Sequence, residues 1–135
     1  MDSMPDEVKK PKILIVEDDM FMVELLGTEL RNSGFEVEIA ANGSEALPKF
    51  RQFVPDLLLL DILLPDINGF DVLRQVRREP GGVDAKAIFL SNLGETKDMD
   101  EAKRIGALDY FVKANFSLSE IVEKIKAVFA PPPAQ

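Results

Sequence analysis

The chain has 135 residues, 46% hydrophobic and 30% charged, with a formal net charge of -8, values that suit one soluble globular domain around a single core. It contains no cysteine and no histidine, which excludes disulfides, thiolate and imidazole metal sites, Ser-His triads and an internal phosphohistidine. The acidic balance argues against nucleic acid as a direct partner, because phosphate binding wants clustered Lys and Arg. No apolar run approaches the ~20 residues of a membrane helix, so no membrane role and a cytoplasmic location are expected.

Residues 1–11 are polar, hold two prolines and read as a flexible leader. Lys12–Val16 is continuously apolar after its lysine, as a strand buried on both faces requires. From Met20 to Asn32, residues Phe21, Leu25, Leu26 and Leu30 follow helical spacing. Asp19 suits the helix N-cap, and Ser33-Gly34 stops the helix. Phe35–Ile39 alternates, which predicts a strand nearer an edge. Asn42-Gly43-Ser44 opens a second helix through Phe53, and Pro48 inside it is expected to kink it or delay its start. Leu57–Leu60 is the most hydrophobic run. Leucine is a modest strand former, but Pro55 and Pro65 bracket a run too short for a helix. Asn68 caps a helix over Gly69–Arg78, with Phe70, Leu73 and Val76 facing inward. Pro80-Gly81-Gly82 is a loop and Ala87–Leu90 a fourth strand. Thr96–Ile105 is a weakly apolar helix ended by Gly106, and Tyr110–Val112 a fifth strand. Ser117 caps the last helix, whose Leu118, Ile121, Val122, Ile125 and Phe129 form an apolar stripe. Residues 130–135 are a Pro-rich tail.

Strand and helix alternate five times. This predicts one α/β domain over residues 12–129, a flavodoxin-like doubly wound fold with a five-stranded parallel sheet in the order 2-1-3-4-5. In such a sheet ligands bind beyond the carboxyl ends of the strands. Four of these strands end in a reactive side chain: Glu17-Asp18-Asp19, Asp61, Ser91 and Lys113. Each has an ordinary explanation when taken alone. Acids at a strand end cap the next helix, Asp61 and Ser91 suit turns, Lys113 suits a solvated surface, and a lone Tyr110 suits a core. Gathered on one rim, the carboxylates, the hydroxyl and the ammonium suit a hard cation and a phosphoryl group. Magnesium takes oxygen ligands and keeps several waters, so one or two carboxylates suffice.

Asp61-Ile62-Leu63-Leu64-Pro65-Asp66-Ile67-Asn68-Gly69 resembles the phosphoacceptor segment of bacterial two-component response regulator receiver domains, of the single-domain, CheY-like kind. The acidic pair Glu17 and Asp18, the strand-end hydroxyl Ser91, and Tyr110 three before Lys113 complete the family pattern from Lys12 to Phe129. The resemblance implies that Asp61 accepts a phosphoryl group from a sensor histidine kinase or a histidine phosphotransfer protein. It also implies that Glu17, Asp18, Asp61 and the backbone carbonyl of Leu63 hold Mg2+, for which Mn2+ could substitute. Lys113 and Ser91 would act on the phosphoryl group, and Ser91 and Tyr110 would form the switch. An effector protein would then meet the face made by helix 4, strand 5 and helix 5. Such a domain catalyses only its own phosphorylation and dephosphorylation and turns over no separate substrate. A monomer or a weak phosphorylation-dependent dimer is expected.

The chain departs from the pattern in places. Lys113 is followed by Ala114 where relatives carry a cis-proline, and a cis bond before any other residue costs ~2.5–4 kcal/mol. Asn92 stands where most relatives have Ala or Gly. Leu63 and Leu93 occupy positions that tune hydrolysis in the family and offer an attacking water no polar group, which implies a long-lived phosphoryl state. The altered loop at Ala114 keeps open a receiver-like interaction module that works without phosphorylation. A flavodoxin-type binding protein or a phosphohydrolase fits less well. The chain has no Gly-rich phosphate loop, and Asp61-Ile62-Leu63 lacks the second Asp of aspartate-nucleophile phosphatases.

Overall fold

The computed structural model describes residues Lys10–Ala130. The leader up to residue 9 and the tail from residue 131 lie outside the described residues. In chain order the elements are β1 (Lys12–Val16), α1 (Met20–Asn32), β2 (Glu36–Ala40), α2 (Gly43–Phe53), β3 (Leu57–Leu60), α3 (Gly69–Arg77), β4 (Lys86–Ser91), α4 (Thr96–Arg104), β5 (Asp109–Val112) and α5 (Leu118–Phe129). The five strands are parallel in the order β2-β1-β3-β4-β5.

Alternation along each strand sorts the core into two layers. Ile13 and Ile15 of β1, Leu57 and Leu59 of β3, and Ile88 and Leu90 of β4 meet Val23, Leu26, Leu30, Ile121, Val122 and Ile125 from α1 and α5. Leu14, Val16, Leu58, Leu60, Ala87 and Phe89 face the other way. They meet Ala46 and Phe50 of α2, Phe70, Leu73 and Val76 of α3, and Ala102 of α4. Continuous apolar strands are therefore needed in the middle of the sheet, and the four leucines of β3 are all buried.

Caps read from the sequence are in place. Asp19 accepts from the Met22 N–H at 3.2 Å and Asn68 from the Phe70 N–H at 2.7 Å. Ser117 and Glu120 form a capping box. The second strand starts one residue later than expected, because the Phe35 N–H turns back to the Leu30 carbonyl at 3.1 Å and belongs to the end of α1. Its outer edge is guarded. Glu36 and Ala40 bond towards β1, through Glu36 N–H to Pro11 O at 2.9 Å and Glu17 N–H to Ala40 O at 3.0 Å, so the Val37 and Ile39 carbonyls point outward. Arg31 of α1 donates to the first at 3.1 Å and Lys49 of α2 to the second at 2.6 Å.

Pro48 does not delay α2, which starts at Gly43 and continues to Phe53. As the sixth residue of the helix, Pro48 forfeits the bond to the Ser44 carbonyl in the first turn, and both residues are exposed to water. The helix ends on Val54 with φ of 50°, a left-handed conformation costly for a β-branched residue. Because proline costs about 3 kcal/mol in a helix interior and repays part of that by stiffening the unfolded chain, Pro48→Ala is expected to stabilise the protein by about 1–2 kcal/mol. Thermal unfolding followed by circular dichroism would show a midpoint a few degrees higher; an unchanged or lower midpoint would refute it.

Candidate functional site

Strand register builds the site. Val16 stands opposite both Ala40 and Leu60, so the next residues, Glu17 and Asp61, share one rim. The Asp61 N–H fastens this rim by donating to the Val16 carbonyl at 3.0 Å. Leu60 pairs with Phe89, which places Ser91 one step above Asp61 on the next strand. Ser91 in turn pairs with Val112, so the chain leaves β5 at that height through Lys113. Glycine at 69 makes the turn possible, since a Cβ there would lie 2.1 Å from the Asp61 carbonyl oxygen.

Lys113 links two carboxylates. Its Nζ lies 2.6 Å from Glu17 Oε1 and 3.0 Å from Asp61 Oδ2. The two carboxylate side chains are only 3% and 6% exposed. Burial pushes the Glu17 carboxyl up to about 7, with the Asp61 charge adding to the rise and the hydrogen bond from Lys113 opposing it. Burial presses the Lys113 ammonium down, but its hydrogen bonds to Glu17 and Asp61 outweigh that and the net shift is upward. Two buried carboxylates thus share one positive charge. Exposed Asp18 adds a third carboxylate, and one oxygen from each of Glu17, Asp18 and Asp61 lies within 4.8 Å of the others. This crowded, all-oxygen, charge-deficient set fits a hard divalent cation such as Mg2+.

The remaining predicted residues surround this cluster. Leu63 is 55% exposed, and its N–H donates to Asp61 Oδ1 at 3.2 Å. Ser91 is fully buried, and its Oγ accepts from the Leu93 N–H at 3.4 Å. Among the described residues no hydrogen bond joins Ser91 to Asp61. Tyr110 is half-buried, with its ring 6.2 Å from that of Phe89, and its hydroxyl donates to the Leu93 carbonyl. Burial, then the charges of Asp98 and Asp61, raise its phenol to about 12. The Lys113–Ala114 bond is trans, since the described residues contain no cis peptide. A short 3-10 turn over Lys113–Asn115 follows β5 instead, and the lysine still reaches both carboxylates.

One contact had no signal in the sequence beyond an acid near a helix start. Asp66 accepts from the Gly43 and Ser44 N–H groups of α2 at 2.8 and 2.9 Å, and from its own Ile67 N–H at 2.8 Å. Desolvation pushes its carboxyl up, but these hydrogen bonds prevail and hold it at about 2.

The same fold recurs in known proteins. The response regulator receiver domain family matches residues 13–126. The chain is 40% identical over 122 residues to a probable transcriptional regulator, ycf27, of Pyropia yezoensis, covering 90% of this chain and 49% of that protein. It is 36% identical to the DNA-binding response regulator MtrA of Mycolicibacterium smegmatis, covering 90% of this chain and 51% of the relative. The chain therefore spans about half the length of these relatives. Among solved structures, the non-phosphorylated HemR receiver domain of Leptospira biflexa superposes with a TM-score of 0.83 at 31% identity, covering 93% of this chain and 99% of that one. A CheY-like receiver domain protein of Methanospirillum hungatei gives 0.80 at 30% identity, covering 89% and 94%. The chain belongs to the response regulator receiver domain family, whose members are phosphoacceptor modules of two-component signalling and turn over no separate substrate. Receiver domains bind Mg2+ at an acidic pocket, and Glu17, Asp18 and Asp61 form an acidic group that could hold a metal ion. Among the described residues no helix is long and apolar enough to cross a membrane.

Asp66 titrates in a way that can be measured. Its folded value of about 2 lies below its ordinary 3.8, so its contribution is complete above about pH 4 and disappears as pH falls through 2. The melting temperature of Asp66→Ala should lie below that of the parent at pH 6, with the gap closing progressively between about pH 4 and pH 2. A gap independent of pH would show that the carboxylate charge is not what stabilises the contact.

Proposed function

We propose that Asp61 is the phosphoacceptor and that the chain takes its phosphoryl group from a phosphohistidine on a sensor histidine kinase or a histidine phosphotransfer protein. The observation that carries this reading is the Lys113 ammonium 3.0 Å from Asp61 Oδ2 inside a cluster of three carboxylates. An Asp61 carboxylate oxygen attacks phosphorus in line. The new O–P bond forms as the P–N bond to the imidazole breaks, and the imidazole leaves with the electron pair and picks up a proton from solvent. Lys113 moves its pairing to the phosphoryl oxygens, and Ser91 turns its hydroxyl from Leu93 to donate to the same group. Glu17, Asp18, Asp61 and the Leu63 carbonyl would hold Mg2+, Glu17 through water, and the ion would supply neutralisation of the charge that develops on the transferring oxygens. The loop at Ala114 leaves Lys113 on Asp61, which supports phosphorylation over a module that works without it.

Partners follow from the surface. Met20, Phe21, Leu25 and Leu63 are 46%, 77%, 46% and 55% exposed. An apolar rim beside an acidic pocket suits docking of the histidine-bearing partner. The output face is α4, β5 and α5. Tyr110 joins β5 to Leu93 in the loop that leads to α4, and α4 itself buries a single residue, Ala102. A change at Ser91 therefore reaches an element that costs little to move.

Incubation with acetyl phosphate and Mg2+ should add one phosphoryl group by intact mass, absent in Asp61→Asn. Lys113→Ala should slow the reaction about 100-fold, the scale of losing one donor to developing charge. An adduct that survives in Asp61→Asn would move the acceptor elsewhere, and no adduct in the parent would favour the phosphate-free module. Leu63→Asn gives an attacking water a polar neighbour, so its phosphoprotein should decay several-fold faster. An unchanged lifetime would refute the assignment of slow hydrolysis to Leu63.

A further inference from the structure

The loop from Asp61 to Asn68 is held at both ends by backbone. At its start, the Asp61 N–H donates to Val16 O at 3.0 Å; at its return, the Gly69 N–H donates to Ile62 O at 2.9 Å. Its outer half is fastened differently. Asp66 bridges to the start of α2, taking the Gly43 N–H on Oδ1 at 2.8 Å and the Ser44 N–H on Oδ2 at 2.9 Å. These are first-turn donors with no partner inside their own helix, and Asn42 takes the next one, the Glu45 N–H, at 2.9 Å. Shape matches charge here. A Cβ on Gly43 would stand 2.8 Å from Ile67 Cβ, so glycine leaves the notch into which Ile67 fits. The outer half is otherwise held by the partly buried Leu64 and Ile67.

We propose that Asp66 is a positioning residue for phosphoryl transfer: by pinning the outer half of the 61–68 loop to α2, it fixes the direction of the Leu63 carbonyl. This rests on the metal and phosphoacceptor roles assigned above. A side-chain ligand can adjust by rotating, but a backbone carbonyl points where its loop points. Asp66 is not among the carboxylates, Glu17, Asp18 and Asp61, that could hold a metal ion. Its charge is committed to the α2 N–H groups and the positive end of that helix, so it is not a fourth carboxylate of the acidic pocket. Groups that orient a ligand from behind commonly carry 10–100-fold of metal affinity.

The test compares Asp66→Ala with Asn42→Ala, which removes the neighbouring cap of the same helix without touching the loop. Mg2+ binding is measured by calorimetry, melting temperature by circular dichroism, and amide exchange at Leu63 and Leu64 by NMR. Asp66→Ala should weaken Mg2+ about 10-fold and speed exchange at both amides. Asn42→Ala should lower the melting temperature yet leave Mg2+ affinity unchanged, and Asp66→Asn, which keeps an acceptor oxygen, should recover part of the affinity. Equal Mg2+ affinity in Asp66→Ala and the parent would overturn the proposal, as would equal losses in Asp66→Ala and Asn42→Ala. If the parent itself binds no Mg2+, the phosphoacceptor reading fails separately. Amide exchange then decides the clamp, and unchanged exchange in Asp66→Ala would overturn it.

Discussion

One ammonium divided between two buried carboxylates organises this molecule. Lys113 reaches across the sheet from the end of β5 to Glu17 after β1 and Asp61 after β3. A carboxylate taken out of water without a partner costs several kcal/mol, and the lysine offsets that cost for both acids. The arrangement still leaves negative charge in excess: burial pushes the Glu17 carboxyl up to about 7, and the Asp61 charge adds to that rise. A rim in that condition favours whatever brings positive charge and disfavours standing alone. The proposed cation binding and phosphoryl chemistry would both follow from the same imbalance.

The imbalance exists only because the sheet is parallel and in register. The crossovers through α1 over one face, where α5 also packs, and through α2, α3 and α4 over the other bring every strand back with its carboxyl end pointing the same way. The ends of the apolar run fix the register, because a slip of one residue would carry Asp56 or Asp61 into the place of a buried leucine. The core is in that sense a positioning device for four rim residues.

Much of this was legible in the chain. The strand ends at Glu17, Asp61, Ser91 and Lys113 follow from apolar runs that stop abruptly, and Asn68 and Ser117 announce their helices by local chemistry. Contacts between distant segments were not legible. Asp66 is separated from Gly43 and Ser44 by more than twenty residues, and no periodic pattern links them. The 3-10 turn at Lys113–Asn115 has no distinctive composition. Pro48 points to a kink or a delayed start of α2; the start is not delayed, because the bond forfeited to the Ser44 carbonyl lies between residues exposed to water. Phe35 opens the alternating run Phe35–Ile39 and so reads as the start of β2, whereas its N–H belongs to the end of α1.

The guarded margin of β2 has a consequence for how such a protein behaves among its own copies. Arg31 and Lys49 occupy the two outward carbonyls with cations, and Glu36 and Glu38 add exposed charge along the same strand. An approaching strand would have to displace both side chains and meet like charges from its twin. Sheet-to-sheet annealing at this margin is thereby discouraged at any concentration, and recognition between molecules is left to helix faces and loops, whose contacts can form and dissolve without templating a fibril.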